Sequence, residues 1–74
     1  DTAKIIVEFG PGGGVFTKFL LSKLNPQAKL IAFELNPTFY QYLKNEIVDD
    51  RFLIFNESAE NIKSRLQAQG ISHV

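Results

Sequence analysis

Short runs of consecutive apolar residues alternate along this chain with stretches in which apolar residues recur every three or four positions. The runs are Ile5-Ile6-Val7, Leu30-Ile31-Ala32-Phe33 and Phe52-Leu53-Ile54-Phe55. Each is too short for a helix and lacks polar alternation, the pattern of a strand covered on both faces. Strands are therefore predicted over residues 4–9, 30–33 and 52–55. After the first, Val15, Phe16, Phe19, Leu20, Leu21 and Leu24 fit a helix with one broad buried face, which Asn25-Pro26 stops. Asn36-Pro37 reads as an N-cap followed by proline at the first helical position. The second helix carries Phe39, Tyr40, Tyr42 and Leu43 as packing residues and fades near Asn45. Asp49-Asp50 is a turn. Ser58 can cap a third helix, with Glu60 in its first turn, Ile62 and Leu66 as an i, i+4 apolar pair, and Gly70 at the C′ position.

A β-α-β-α-β-α order with right-handed crossovers is half of a doubly wound, Rossmann-like α/β fold with a parallel sheet. Strand order 3-2-1 is expected. Strand 1 is central in such folds, at the switch point where ligands bind. Ile71-Ser72-His73-Val74 reads as the approach to a fourth strand, so residues 1–74 are expected to be a partial domain, a fragment of a longer chain. Cut there, strand 1 is an exposed edge. Edge-strand self-association, most simply a two-fold pairing of strand 1 with strand 1, is the expected consequence.

Composition narrows the class. Seventy-four residues with 45% hydrophobic content and seven Phe make one small globular unit rather than a disordered segment. At this size only ~60–65% of the unfolded surface is buried, so the core is marginal. Eight basic and eight acidic side chains cancel, which leaves no electrostatic footprint of a dedicated nucleic-acid binder within this segment and leaves open a partner surface outside it. The chain has no Cys, so disulfides and thiolate metal sites are excluded within it. No apolar run approaches the ~20 residues of a membrane span. A cytoplasmic location fits these features.

The chemistry concentrates at Val7-Glu8-Phe9-Gly10-Pro11-Gly12-Gly13-Gly14-Val15-Phe16-Thr17, a strand end, a glycine-rich loop and a helix start. Such a loop brings main-chain N–H groups and a helix N-terminus to one place. A P-loop reading fails, because no glycine is followed by Lys-Ser or Lys-Thr. The dinucleotide fingerprint Gly-x-Gly-x-x-Gly fits at Gly10 and Gly12 but meets Val15 at its third position. The remaining pattern is Glu-x-Gly-x-Gly-x-Gly at Glu8, Gly10, Gly12 and Gly14, with Glu34 closing strand two.

That pattern, together with Ile31-Ala32-Phe33-Glu34-Leu35-Asn36-Pro37, resembles motif I and the strand-two acid of class I S-adenosylmethionine-dependent methyltransferases. Within them Glu-Phe-Gly-Pro-Gly-x-Gly-Val-Phe-Thr and Phe-Glu-Leu-Asn-Pro most resemble bacterial phospholipid N-methyltransferases, with ribosomal RNA adenine dimethyltransferases as the nearest rival. The resemblance implies S-adenosylmethionine as cofactor and a methyl acceptor that is a phospholipid amine or, alternatively, RNA. A lipid acceptor further implies association with a membrane surface. It also implies residue roles. The main chain at Gly10 and Gly12 would pass against the methionine and ribose, Glu8 would attract the amino group and tie down the loop, and Glu34 would accept from both ribose hydroxyls. Leu35 would pack on the adenine face. Ser58-Ala59 sits where the family often has Asp-Ala at the adenine edge, with the acid, Glu57, one place early. Residues that hold the acceptor would lie beyond Val74.

Plainer readings stand beside these. Glycine is the default residue wherever φ is positive, Glu34 can be a solvated strand-end acid, and Ser58 can be only a cap. Thr17 fits either local backbone bonding or a contact to the loop. A dinucleotide-binding oxidoreductase half-domain, opposed by Val15 and Pro11, and a binding module without chemistry remain alternatives.

Overall fold

The structure is a computed structural model and describes residues 4–70. Three parallel strands, β1 (Ile5–Phe9), β2 (Lys29–Phe33) and β3 (Phe52–Phe55), form one sheet in the order β1-β2-β3. Three helices, α1 (Val15–Lys23), α2 (Pro37–Glu46) and α3 (Ile62–Ala68), connect or follow them, the last after a short 3-10 turn, Ala59–Asn61. The register aligns Ile6, Leu30 and Phe52 across the sheet, and Phe9, Phe33 and Phe55 at its carboxyl end. This is the parallel, Rossmann-like α/β arrangement expected, with β1 at an edge. Residues 71–74, read as the approach to a fourth strand, lie outside the described residues.

Strand pleating divides the core into two layers. On one face Leu30, Ala32 and Phe52 pack with Leu21, and Ile6, Leu20, Leu24, Ile47 and Ile54 close around them. On the other, Ile31, Phe33 and Leu66 are surrounded by Ile5, Val7, Leu53, Phe55 and Ile62. So α1 and the end of α2 cover one face and α3 covers the other. This is why apolar residues fill the strands except at Glu8 and Lys29.

The local signals at the helix ends act through visible bonds. The Asn36 side chain accepts from the N–H groups of Thr38 (2.9 Å) and Phe39 (3.1 Å), and Pro37 opens α2. Gly70 takes φ of 82° just past α3. Ser58 does less than expected. Its hydroxyl accepts from the N–H of Glu60 at 3.2 Å within the 3-10 turn, and α3 itself starts later, at Ile62.

The expected broad buried face of α1 is corrected. Thr17, Leu20, Leu21 and Leu24, at i, i+3, i+4 and i+7, face the sheet, whereas Val15, Phe16 and Phe19 are 84%, 61% and 54% exposed. A helix resting on a sheet presents only one stripe to it, and these three residues lie on the neighbouring stripe. Phe16 and Phe19 stack on each other with centroids 6.2 Å apart, and Lys23 lies over the Phe19 ring. The aromatic stripe of α2 is corrected for the same reason. Phe39 and Tyr42 are exposed, and the buried anchor of that helix is Leu43.

One tie has no counterpart in the sequence reading. The Arg51 guanidinium donates to the carbonyls of Leu21 and Leu24, both at 2.8 Å, at the end of α1. Those are carbonyls that a helix leaves without an internal partner. Asp49 holds the guanidinium in place by accepting from its Nε (3.0 Å) and Nη2 (2.8 Å). Hydrogen bonds from Arg51, side chain first and backbone second, lower the Asp49 carboxyl from 3.8 to about 2. The Asp49-Asp50 turn is thus also a clasp between β3 and α1.

Candidate functional site

The carboxyl ends of the strands are where ligands bind in open α/β sheets, and the glycine loop and the acid Glu34 meet there. Leaving β1, the chain is pinned by the N–H of Gly10, which donates to the carbonyl of Phe33 at 2.9 Å. Gly10 and Gly12 take φ of 63° and 57°, a region that side chains with a Cβ rarely adopt. No atom lies within 4 Å of where a Cβ would stand at either residue, so this main chain borders open space.

Gly14 differs. It is buried at the N-cap of α1 with φ of 85°, and a Cβ there would collide with Cδ2 of Leu43 in α2. The third glycine of the pattern therefore has a packing requirement of its own, the close approach of two helices.

Glu34 is only 7% exposed although it follows the last residue of β2. Its Oε1 accepts from the N–H of Gly12 and its Oε2 from the N–H of Asn36, both at 3.0 Å. The carboxylate thus joins the glycine loop to the start of α2. Each carboxylate oxygen can accept more than one bond, so Glu34 keeps acceptor capacity for a diol. Its own N–H donates to Phe55 at 2.9 Å, and its carbonyl accepts from Asn56 Nδ2 at 2.8 Å.

A cavity of about 280 Å³ opens beside this acid, lined by Phe9, Gly10, Phe33, Glu34, Leu35, Glu57 and Ser58. That is close to the lower end, ~300 Å³, of small-molecule sites. Four of the expected residues, Gly10, Glu34, Leu35 and Ser58, share its wall. Three aromatic rings, Phe9, Phe33 and Phe55, run side by side at the strand ends, with neighbouring centroids 6.1 and 5.7 Å apart, and the first two line the cavity. Apolar walls with one buried carboxylate suit a flat aromatic base carrying a diol.

The other expected residues stand apart from that wall. Glu8 faces the α1 side of the sheet, where its Oε1 accepts from the hydroxyl of Thr17 at 2.7 Å. Thr17 is fully buried, so its hydroxyl serves strand β1 rather than its own helix or solvent. Gly12 touches the site through its N–H on Glu34, and Ala59 opens the 3-10 turn that follows Ser58. Glu57 pairs with Arg65, which holds its carboxyl below the usual range, and it also accepts from Asn61 at 2.9 Å. Its charge is compensated at the cavity rim. Asn56, which sequence reasoning passed over, links the strand ends directly behind Glu34. A polar residue immediately after an apolar strand was its only signal.

No family model matches the chain. It is similar to ribosomal RNA small subunit methyltransferase A of Mesoplasma florum, 40% identical over 55 residues, 74% of this chain and 20% of that protein. It is similar to ribosomal RNA small subunit methyltransferase H of Christiangramia forsetii, 37% identical over 95% of this chain and 22% of that protein. It also matches the ornithine lipid N-methyltransferase of Singulisphaera acidiphila, 26% identical over 96% of this chain and 38% of that protein. The chain spans about a fifth of the length of the ribosomal RNA methyltransferases it matches. Over most of its own length this chain is therefore similar to methyltransferases.

Proposed function

We propose that this α/β unit binds S-adenosylmethionine at the carboxyl end of its sheet, and that the intact protein transfers the methyl group to a nucleophile. The observation that carries the reading is the Glu34 carboxylate, buried beside an apolar cavity and already joined to the glycine loop. Glu34 accepts from the ribose hydroxyls, Leu35 and the row of phenylalanines flank the adenine, and the open main chain at Gly10 and Gly12 admits the rest. Ser58 and Ala59 sit toward the adenine edge. Glu8 acts through Thr17, fixing the start of α1 and so the loop before it. When bound, the cofactor would supply a sulfonium methyl carbon that the acceptor's lone pair takes in line as the C–S bond breaks and S-adenosylhomocysteine leaves, a reaction in which positioning and exclusion of water carry much of the acceleration.

For the acceptor we infer RNA, supported by the ribosomal RNA methyltransferases at 37–40% identity. The lipid N-methyltransferase at 26% supports a phospholipid amine, with the membrane-surface association it entails, as the second reading. Among the described residues no helix is long and apolar enough to cross a membrane.

A calorimetric titration of the intact protein with S-adenosylhomocysteine and, separately, NAD tests the cofactor. Saturable binding of the first alone is expected, and binding of NAD alone would replace this reading with the oxidoreductase one. Glu34→Gln should weaken S-adenosylhomocysteine by ~1.5–3 kcal/mol, because hydrogen bonds to a charged acceptor are the stronger ones. Labelled methyl transfer into ribosomal RNA or into phosphatidylethanolamine vesicles then decides the acceptor.

A further inference from the structure

The pairing of β2 with β3 ends at Phe33 and Phe55, and the N–H of Glu34 makes the last rung to the Phe55 carbonyl. Beyond it the two chains part, β2 toward the start of α2 and β3 toward the 3-10 turn. The next carbonyls along β2, those of Glu34 and Leu35, have no strand to meet. Asn56 meets both. Its Nδ2 donates to the Glu34 carbonyl at 2.8 Å and to the Leu35 carbonyl at 3.1 Å. A primary amide has two N–H donors on one nitrogen, so a single side chain can hold two successive carbonyls.

Holding two successive carbonyls fixes the two peptide planes that flank Leu35, the one it shares with Glu34 and the one it shares with Asn36. The carboxylate of Glu34 spans to Gly12 and Asn36, and the exposed Leu35 lies on the cavity wall. Both groups assigned to the nucleoside therefore take their placement from peptide units that Asn56 holds. The choice of residue follows from the chemistry. Two carbonyl oxygens need a donor, and a carboxylate of the same shape would repel both.

We propose that Asn56 is a positioning residue that sets Glu34 and Leu35 against the cofactor's nucleoside by holding their carbonyls. The proposal rests on the S-adenosylmethionine reading above and adds a residue that touches no ligand.

The test measures affinity of the intact protein for S-adenosylhomocysteine and for its 2′-deoxy analogue, in wild type, Asn56→Ala and Asn56→Asp, with the helical circular-dichroism signal as the check on folding. Loss of a hydrogen-bond pair behind the site should weaken S-adenosylhomocysteine about tenfold in Asn56→Ala, and at least as much in the isosteric Asn56→Asp. The deoxy analogue, which gives Glu34 less to bind, should lose no more than about threefold. Unchanged affinity for S-adenosylhomocysteine in either folded variant overturns the proposal. So does an equal loss for both ligands, which marks a general disturbance of the strand end. A wild-type protein that ignores S-adenosylhomocysteine overturns the cofactor reading and this role together, whereas a binding wild type with unaffected variants overturns this role alone.

Discussion

Substituting Gly14 by alanine separates a glycine required by packing from one required by a ligand. The added Cβ would face two penalties. At φ of 85° an L residue is in the left-handed region, which costs about 1–2 kcal/mol. The methyl would also collide with Cδ2 of Leu43, a fully buried side chain with little room to turn away. Overpacking of this kind costs about 1–3 kcal/mol. The sum, about 2–5 kcal/mol, is a large part of the ~4–11 kcal/mol available to a unit of this length. Urea unfolding followed by far-UV circular dichroism should therefore show a markedly lower midpoint for Gly14→Ala. The decisive comparison repeats the substitution in a Leu43→Val background, where the colliding atom is gone. There only the backbone penalty should remain, so the two substitutions should couple by about 1–3 kcal/mol. An equal cost in both backgrounds would refute the collision. Unchanged stability with a loss of S-adenosylhomocysteine affinity would refute the packing role altogether.

The Asp49–Arg51 clasp predicts an acid-sensitive contribution to stability. The folded carboxyl titrates at about 2 and the unfolded one at 3.8, so the unfolded state binds more protons between them. The contribution is complete above the unfolded value and is lost as pH falls through the folded one. Asn in place of Asp49 should flatten the stability profile in that window, and an unaltered acid limb would refute it. The free edge of β1 predicts association: light scattering on the 74-residue chain should give a mass above its 8.3 kDa monomer. A monomer with protected strand amides would refute that expectation.

Residues that bury on both sides were the easiest to read. The runs inside β1, β2 and β3 are apolar because α1 and α2 cover one face and α3 the other, and the strands expected at 4–9, 30–33 and 52–55 match the observed ends to within a residue. Asn36 and Pro37 act within one turn of chain, so their capping role was also legible. The orientation of α1 was not. Val15, Phe16 and Phe19 share the helical period of Leu20, Leu21 and Leu24, and period alone does not say which half of a wide apolar arc meets the sheet. Thr17 was ambiguous for a related reason. Its partner Glu8 is nine residues away on another element, and only strand alternation from Ile6 places that acid on the α1 side. At the site, the alternating glycines and Glu34 were visible as a motif. That Gly14 answers to Leu43 and Glu34 to the Gly12 N–H depends on contacts 29 and 22 residues apart in sequence. Asn56 and Arg51 act on backbone carbonyls, which leave no mark on side-chain patterns.

The clasp at Arg51 also bears on the order in which the chain can fold as it is made. Helix α1 is complete in sequence at Lys23, yet its terminal carbonyls at Leu21 and Leu24 wait for a guanidinium 30 and 27 residues later. At ~5–20 residues per second, synthesis of that interval takes about 1.4–6 s. Helix formation itself takes about a microsecond. During those seconds β1, α1 and β2 can meet, but the carboxyl end of α1 is held by water alone. The arrival of the Asp49-Asp50-Arg51 turn closes it while β3 docks beside β2. Strand β3 thus carries the fastening for helix α1, and nascent chains stalled before residue 51 should fray at residues 21–24.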